Sequence, residues 1–142
     1  QLGGKSAPAC GFAMGIERLL ALWQDQGHQH ESVVPDAYLV HQGLAAGRFA
    51  FRTAEALRSA GFAIQLHCGG GSFKSQMKKA DNSGAPLALI VGDDEAAANT
   101  VAVKQLRGAF EQSSAQVSVS FDELADHLGT ILFPMEDDDG SL

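Results

Sequence analysis

Leu87-Ala88-Leu89-Ile90-Val91 is an unbroken apolar run, closed off by Gly84 and Pro86 before it and by the turn Gly92-Asp93-Asp94-Glu95 after it. Five residues without a polar side fit a strand covered on both faces, the kind found in parallel sheets flanked by helices. Upstream, Phe73, Met77 and Ala80 recur at helical spacing, which predicts a helix over about 72–83. The turn Gly69-Gly70-Gly71 leads into it from a second strand, Phe62–Leu66, and Gly61 is the expected cap of a preceding helix over 45–60. That helix puts Phe49, Ala50, Ala54 and Leu57 on one side and Arg48, Arg52, Glu55 and Arg58 elsewhere. Ala37-Tyr38-Leu39-Val40 is the strand before it.

Downstream of the central run, Thr100–Leu106 alternates as a strand does, and Val117 and Val119 alternate with polar residues like a short edge strand. Ser120 and Glu123 have the spacing of a capping box and open a helix carrying Leu124, Leu128, Ile131 and Leu132. The order is therefore about βαβαβββα, an α/β body with a mixed sheet of roughly five strands flanked by helices. Strand-helix-strand units cross over right-handedly, so the first three strands are expected to be parallel.

The chain reads as one domain with flanks. Residues 1–25 contain a Gly3-Gly4 turn, an extended stretch over 8–14, and a helix with Ile16, Leu19, Leu20 and Trp23 at helical spacing. Residues 26–35, polar and closed by Pro35, form the expected linker. The body covers 36–133, and 134–142 is an acidic tail. The opening Gln1-Leu2-Gly3-Gly4, without an initiator Met or a signal-peptide pattern, suggests a piece of something longer.

Length and composition narrow the class. The 142 residues suffice for one real core, and 45% apolar with 19% charged residues fits a globular chain. No apolar run approaches a membrane span. Cys10 and Cys68 are isolated, without metal or disulfide spacing, and each is expected to be a small buried thiol in a cytosolic protein. The net charge of -7 argues against a nucleic-acid binder at face value. The charge is uneven, however. Residues 37–107 carry eight basic and five acidic side chains, net +3, and the rest carry two basic and twelve acidic, net -10.

Few motifs carry chemistry by spacing alone. The triple glycine matches neither a dinucleotide fingerprint nor a P-loop, although a glycine turn before a helix lets an RNA backbone or a phosphate come close. Lys74 and Lys78 share one helix face, and Lys104 and Arg107 lie near a strand end; all four are candidate RNA contacts or plain solvated cations. The five histidines make no metal pattern, and no metal site is expected. Gly11-Phe12-Ala13-Met14-Gly15-Ile16-Glu17-Arg18-Leu19-Leu20 is a glycine-punctuated extended stretch running into a helix. Arg18 there suits polyphosphate oxygens, or a structural carboxylate.

That segment resembles motif 3 of class II aminoacyl-tRNA synthetases, in the form typical of the histidyl-tRNA synthetase family. The lead-in Gln1–Lys5 with Pro8-Ala9 is similar as well. Independently, His67–Asp81, Leu89–Glu95 and Val101–Lys104 resemble that family's anticodon-binding domain, so the resemblance spans about residues 1–133. It implies a three-layer anticodon-binding domain preceded by a strand-helix remnant of a catalytic domain. By the same resemblance Arg18 would be catalytic, meeting the ATP phosphates, with Gly11 and Gly15 as backbone near the ATP and histidine pocket. ATP with Mg would be the substrate of the longer enzyme, a cytoplasmic homodimer. The partner of this region would be the anticodon stem-loop of tRNA(His), met through Lys74, Lys78, Lys104 and Arg107.

Two other readings stay open at this stage. One is a regulatory or tRNA-sensing paralogue; the other is an α/β interaction module with no RNA role. Motifs 1 and 2 of the synthetase class do not occur in the sequence. The chain alone is therefore expected to be unable to make histidyl-adenylate. Pyrophosphate exchange with histidine and ATP measures this, and clear exchange by the purified chain would refute it.

Overall fold

The computed structural model describes residues 8–28, 33–107 and 116–134. The expected Gly3-Gly4 turn, part of the linker, the turn after Gly108 and the tail from residue 135 lie outside the described residues. The chain divides into two compact units, Gln1–Val33 and Val34–Leu142.

In the first unit, α1 spans Ile16–Asp25, as the periodicity predicts. Residues 8–15 do not form the expected strand. A strand exists through its ladder with a neighbour, and none is present among the described residues of this unit. Ile16, Leu19, Leu20, Leu22 and Trp23 of α1 are exposed, with Trp23 stacked on His28.

The second unit runs β1 Ala37–His41, α2 Leu44–Ser59, β2 Ile64–Leu66, α3 Phe73–Asn82, β3 Leu87–Val91, α4 Asp93–Ala98, β4 Thr100–Gln105 and β5 Val117–Ser120, then a 3-10 turn and α5 Leu124–Leu132. The sheet order is β2-β1-β3-β4-β5. β1 pairs in parallel with both β2 and β3, as expected, and β4 and β5 add antiparallel. Chain reversal through α2 lays β2 on one side of β1, and α3 then carries the chain back across to β3. Right-handed crossovers in opposite directions put α2 and α3 on opposite faces. Leu39, Leu87, Leu89, Val101 and Val103 pack with α2 and α5; Tyr38, Val40, Ile90 and Ala102 lie on the α3 side with Ala80 and Met77. This is the three-layer arrangement, with β3 buried along its whole length.

Two local expectations are corrected. Residues 93–98 form α4 rather than a simple turn. The Glu95 carboxylate accepts the Gly92 N–H at 2.8 Å, and three acidic residues favour the positive end of the helix. An alanine run propagates it, and Asn99 at φ 54° stops it. Ser120 does not cap a backbone N–H. Its hydroxyl donates to the Glu123 carboxylate at 2.7 Å, because the first turn is wound as 3-10 over Phe121–Glu123 before α5 begins. The end of α2 behaves as predicted: Gly61, at φ 98°, and Phe62 donate back to Arg58 and Leu57 in a Schellman motif.

The start of α2 is capped from a distance. Gly43 precedes it and has no side chain, so the Asp93 carboxylate accepts the Ala46 N–H at 3.0 Å. Gly43 sits at φ 120°, and a Cβ there would lie 2.2 Å from the Asp93 Oδ1. Gly43→Ala is therefore expected to lower unfolding free energy by about 1–3 kcal/mol through strain and displacement of the cap. Asp93→Ala, which only removes the cap, costs about 1 kcal/mol. Urea unfolding of both variants checks the order.

Candidate nucleic-acid interface

The parallel strands β2, β1 and β3 end on the same side, and the loops leaving β1 and β2 depart toward opposite faces of the sheet. Such a divergence opens a crevice at the carboxyl ends of the strands, where α/β folds collect ligands. β2 is two residues too short to accompany β1 to its end: His67 N–H still bonds Leu39 O, but His41 faces a strand that has already turned away. Gln76 of α3 fills that position. Its side-chain oxygen accepts His41 N–H at 3.0 Å, and its amide donates to His41 O at 2.8 Å. The same amide reaches Gly71 O at 3.2 Å, so one buried side chain ties the strand end to the glycine turn.

His67 holds the other side of that turn. Its Nε2 is 2.8 Å from Gly70 O, and a carbonyl only accepts, so Nε2 carries the proton. Nδ1 is then the acceptor, and the Tyr38 hydroxyl donates to it at 2.9 Å. Burial, with a smaller contribution from Cys68, pushes the Tyr38 phenol above its ordinary pKa and keeps it a donor. His41 Nε2 donates to His67 O at 3.1 Å. Gly69, Gly70 and Gly71 all have positive φ, and a Cβ on Gly69 or Gly70 would meet nothing within 4 Å. The result is a backbone turn fixed from beneath and open above. Ser72 caps α3 right after it, accepting Ser75 N–H at 3.3 Å. Contrary to expectation, Cys68 and Cys10 are both exposed; Cys68 lies in this loop.

Lys74 and Lys78 are exposed on α3, with Lys74 in its first turn beside the glycines. Lys104 is half-buried opposite Ala88, on the α3 side of the sheet but toward the other end of the strands. Arg107 is further that way and already engaged: it donates to Ala85 O at 2.9 Å, to Asp81 O and to the Asp81 carboxylate. All four cations thus share one side of the molecule, but only Lys74 and Lys78 rise from the glycine turn's own helix. Arg18 is exposed on α1 of the other unit, with Gly15 capping that helix and Gly11 exposed ahead of it. No group of three metal-ligating side chains occurs among the described residues, and none of their helices is long and apolar enough to cross a membrane.

Residues 37–130 match the family described as the anticodon binding domain. The chain belongs to the anticodon binding domain family. It is 59% identical to a histidine–tRNA ligase of Aromatoleum aromaticum over its whole length, covering 32% of that protein. It is 58% identical to the corresponding ligase of Dechloromonas aromatica, with 89% of this chain and 29% of that one covered. The chain therefore spans about a third of the length of the curated relatives it matches. Among solved structures, the apo histidyl-tRNA synthetase of S. aureus matches with a TM-score of 0.58 at 27% identity, covering 80% of this chain and 28% of that chain. The RNA binding domain of threonyl-tRNA synthetase from Cryptosporidium parvum shares the fold, with a TM-score of 0.61 at 14% identity over 68% of this chain and 23% of that chain.

For this anticodon binding domain the sequence reading missed Gln76, His41 and Tyr38. Gln76 had a signal: it falls four residues before Ala80 and three after Phe73, on the inner face of α3. Gln76→Leu keeps the volume but strands both polar groups of His41. It is expected to cost about 2–3 kcal/mol in urea unfolding. A loss under about 0.5 kcal/mol would mean that the clamp does not hold the strand end.

Proposed function

We propose that this chain is the anticodon-binding region of a histidine–tRNA ligase and that it meets the anticodon stem-loop of tRNA(His). The observation that carries the reading is the pinned glycine turn. It offers backbone N–H groups without side chains in the way, next to Lys74 and Lys78. A splayed RNA loop is recognised by backbone approach, stacking and hydrogen bonds to base edges, and such a turn admits all three. The family match and the similarity to histidine–tRNA ligases support the same reading. Lys104 and Arg107 belong to the proposed contact as peripheral cations, Arg107 through the donors its protein bonds leave over.

The longer enzyme would couple histidine to tRNA(His) through an adenylate, using ATP with Mg, as a cytoplasmic homodimer. In that enzyme residues 1–25 would belong to the catalytic domain, 26–35 to a linker, 36–133 to the anticodon-binding domain and 134–142 to an acidic tail. Arg18 would place its guanidinium against ATP phosphate oxygens and stabilise the charge that builds there as the histidine carboxylate attacks. Gly11 and Gly15 would let the adenylate approach the backbone.

Fluorescence anisotropy with a labelled tRNA(His) anticodon stem-loop tests the proposal. Binding should weaken as salt rises, and Lys74→Ala and Lys78→Ala should each flatten the dependence of log affinity on log salt by about 1. A hairpin with an unrelated loop should bind less tightly. Equal affinity for both hairpins, or no binding at low salt, would refute the reading.

A further inference from the structure

On the face opposite α3, α2 and α4 enclose an open cavity of about 450 Å³. Its floor is apolar, from Ala45, Phe49, Ala96 and Ala97, and its wall carries Arg48 and Arg52. The two arginines are four residues apart on α2, so they stand one above the other on the same helix face. Arg52 is held in place. Its guanidinium lies 5.0 Å from the Phe49 ring centroid and 4.7 Å from that of Phe121, and it donates to Asn99 Oδ1 at 2.8 Å. That bond uses one of five donors, and the rest remain for an oxygen-rich ligand. Arg48 enters neither ion pair found among the described residues. The Asp93 carboxylate also borders the cavity, but it is turned to the Ala46 N–H and is spent as the cap of α2.

His41 links the glycine turn to the first turn of α2, the helix that carries the cavity's arginines. The His41 ring bonds His67 O on one side and lies 3.5 Å from where a Gly47 Cβ would stand on the other. Gly47 is the residue before Arg48. The glycine turn and the start of α2 both follow the carboxyl ends of parallel strands, so RNA lying across those ends meets the start of both α2 and α3.

We infer that this cavity is a second RNA subsite, which seats one unpaired ribonucleotide with its base on the alanine and phenylalanine floor and its phosphate on Arg48 and Arg52. The inference rests on the RNA-binding reading above. A planar base gains from an apolar, partly aromatic floor, and paired guanidinia match phosphate oxygens in a way that lysines do not.

Three variants of the 142-residue chain test it: Arg48→Gln, Arg52→Gln, and Ala97→Glu, which puts a carboxylate at the floor's exposed rim. Each is compared with wild type for affinity to the tRNA(His) anticodon stem-loop, with circular dichroism confirming the fold. Arg48→Gln should weaken binding roughly tenfold through the loss of one charge-assisted contact, and Ala97→Glu roughly as much through repulsion of the phosphate. A blunt-ended RNA duplex, with no unpaired nucleotide to offer, should show no difference between wild type and variants. If Arg52→Gln unfolds because its stacking is lost, the other two variants decide. Wild-type affinity in both, with wild type binding the anticodon stem-loop, overturns the subsite and leaves the RNA reading standing. A wild type that does not bind the anticodon stem-loop overturns both.

Discussion

A single amide does the work of a missing strand residue. In a parallel ladder, alternate residues of β1 present both N–H and C=O toward β2, and His41 is one of them. β2 ends at Leu66, so those two half-buried groups would otherwise lack protein partners. Gln76 supplies an acceptor and a donor in the arrangement that a backbone would. Leaving both unmade would cost several kcal/mol, a large share of the stability of a domain this size. Only an amide side chain can both give and take here; a carboxylate would set an oxygen against His41 O and Gly71 O.

The early end of β2 is what gives the site its shape. Had β2 run on beside β1, the glycine turn would be a strand and the crevice would close. Because it stops, the chain has six residues, 67–72, in which to swing onto the other face and start α3. Three glycines with positive φ make that swing, and His67 and Gln76 fix it from the core side. The turn is therefore rigid without any outward side chain to hold it so. That combination suits backbone recognition of a flat ligand, because little conformational freedom remains to be lost on binding.

Much of this fold can be read in the sequence, and what cannot has physical causes. The run 87–91, the helix faces of α2 and α3 and the Gly61 cap obey local periodicity, so they are visible in one dimension. α4 was hidden because Gly-Asp-Asp-Glu has turn composition; its start depends on Glu95 reaching back to Gly92, and its six residues are too few to show a period. The distant caps and clamps were hidden for another reason. Asp93 to Ala46 spans 47 residues and Gln76 to His41 spans 35, and no local pattern marks which residue will answer which. Of the site, the triple glycine and the lysines were legible as types. Their grouping was not: the sequence treats four cations as equals, but Arg107 is largely committed to fastening the β4 end to the α3–β3 connection.

The arrangement also accounts for an acidic chain with a basic edge. With a net charge of -7, the far field of the molecule repels RNA, so approach is not steered by long-range attraction. At physiological salt, charges further apart than about 8 Å are largely screened, and a ligand at the strand ends senses only its neighbours. Those neighbours include Lys74 and Lys78 on one face and Arg48 and Arg52 on the other, while the carboxylates of Asp93 and Glu95 are hydrogen-bonded to the starts of α2 and α4. Local attraction and distant repulsion together favour a partner that fits the crevice over one that merely carries phosphates. In the proposed role, choosing one anticodon loop among many similar RNAs, that discrimination counts for more than raw affinity.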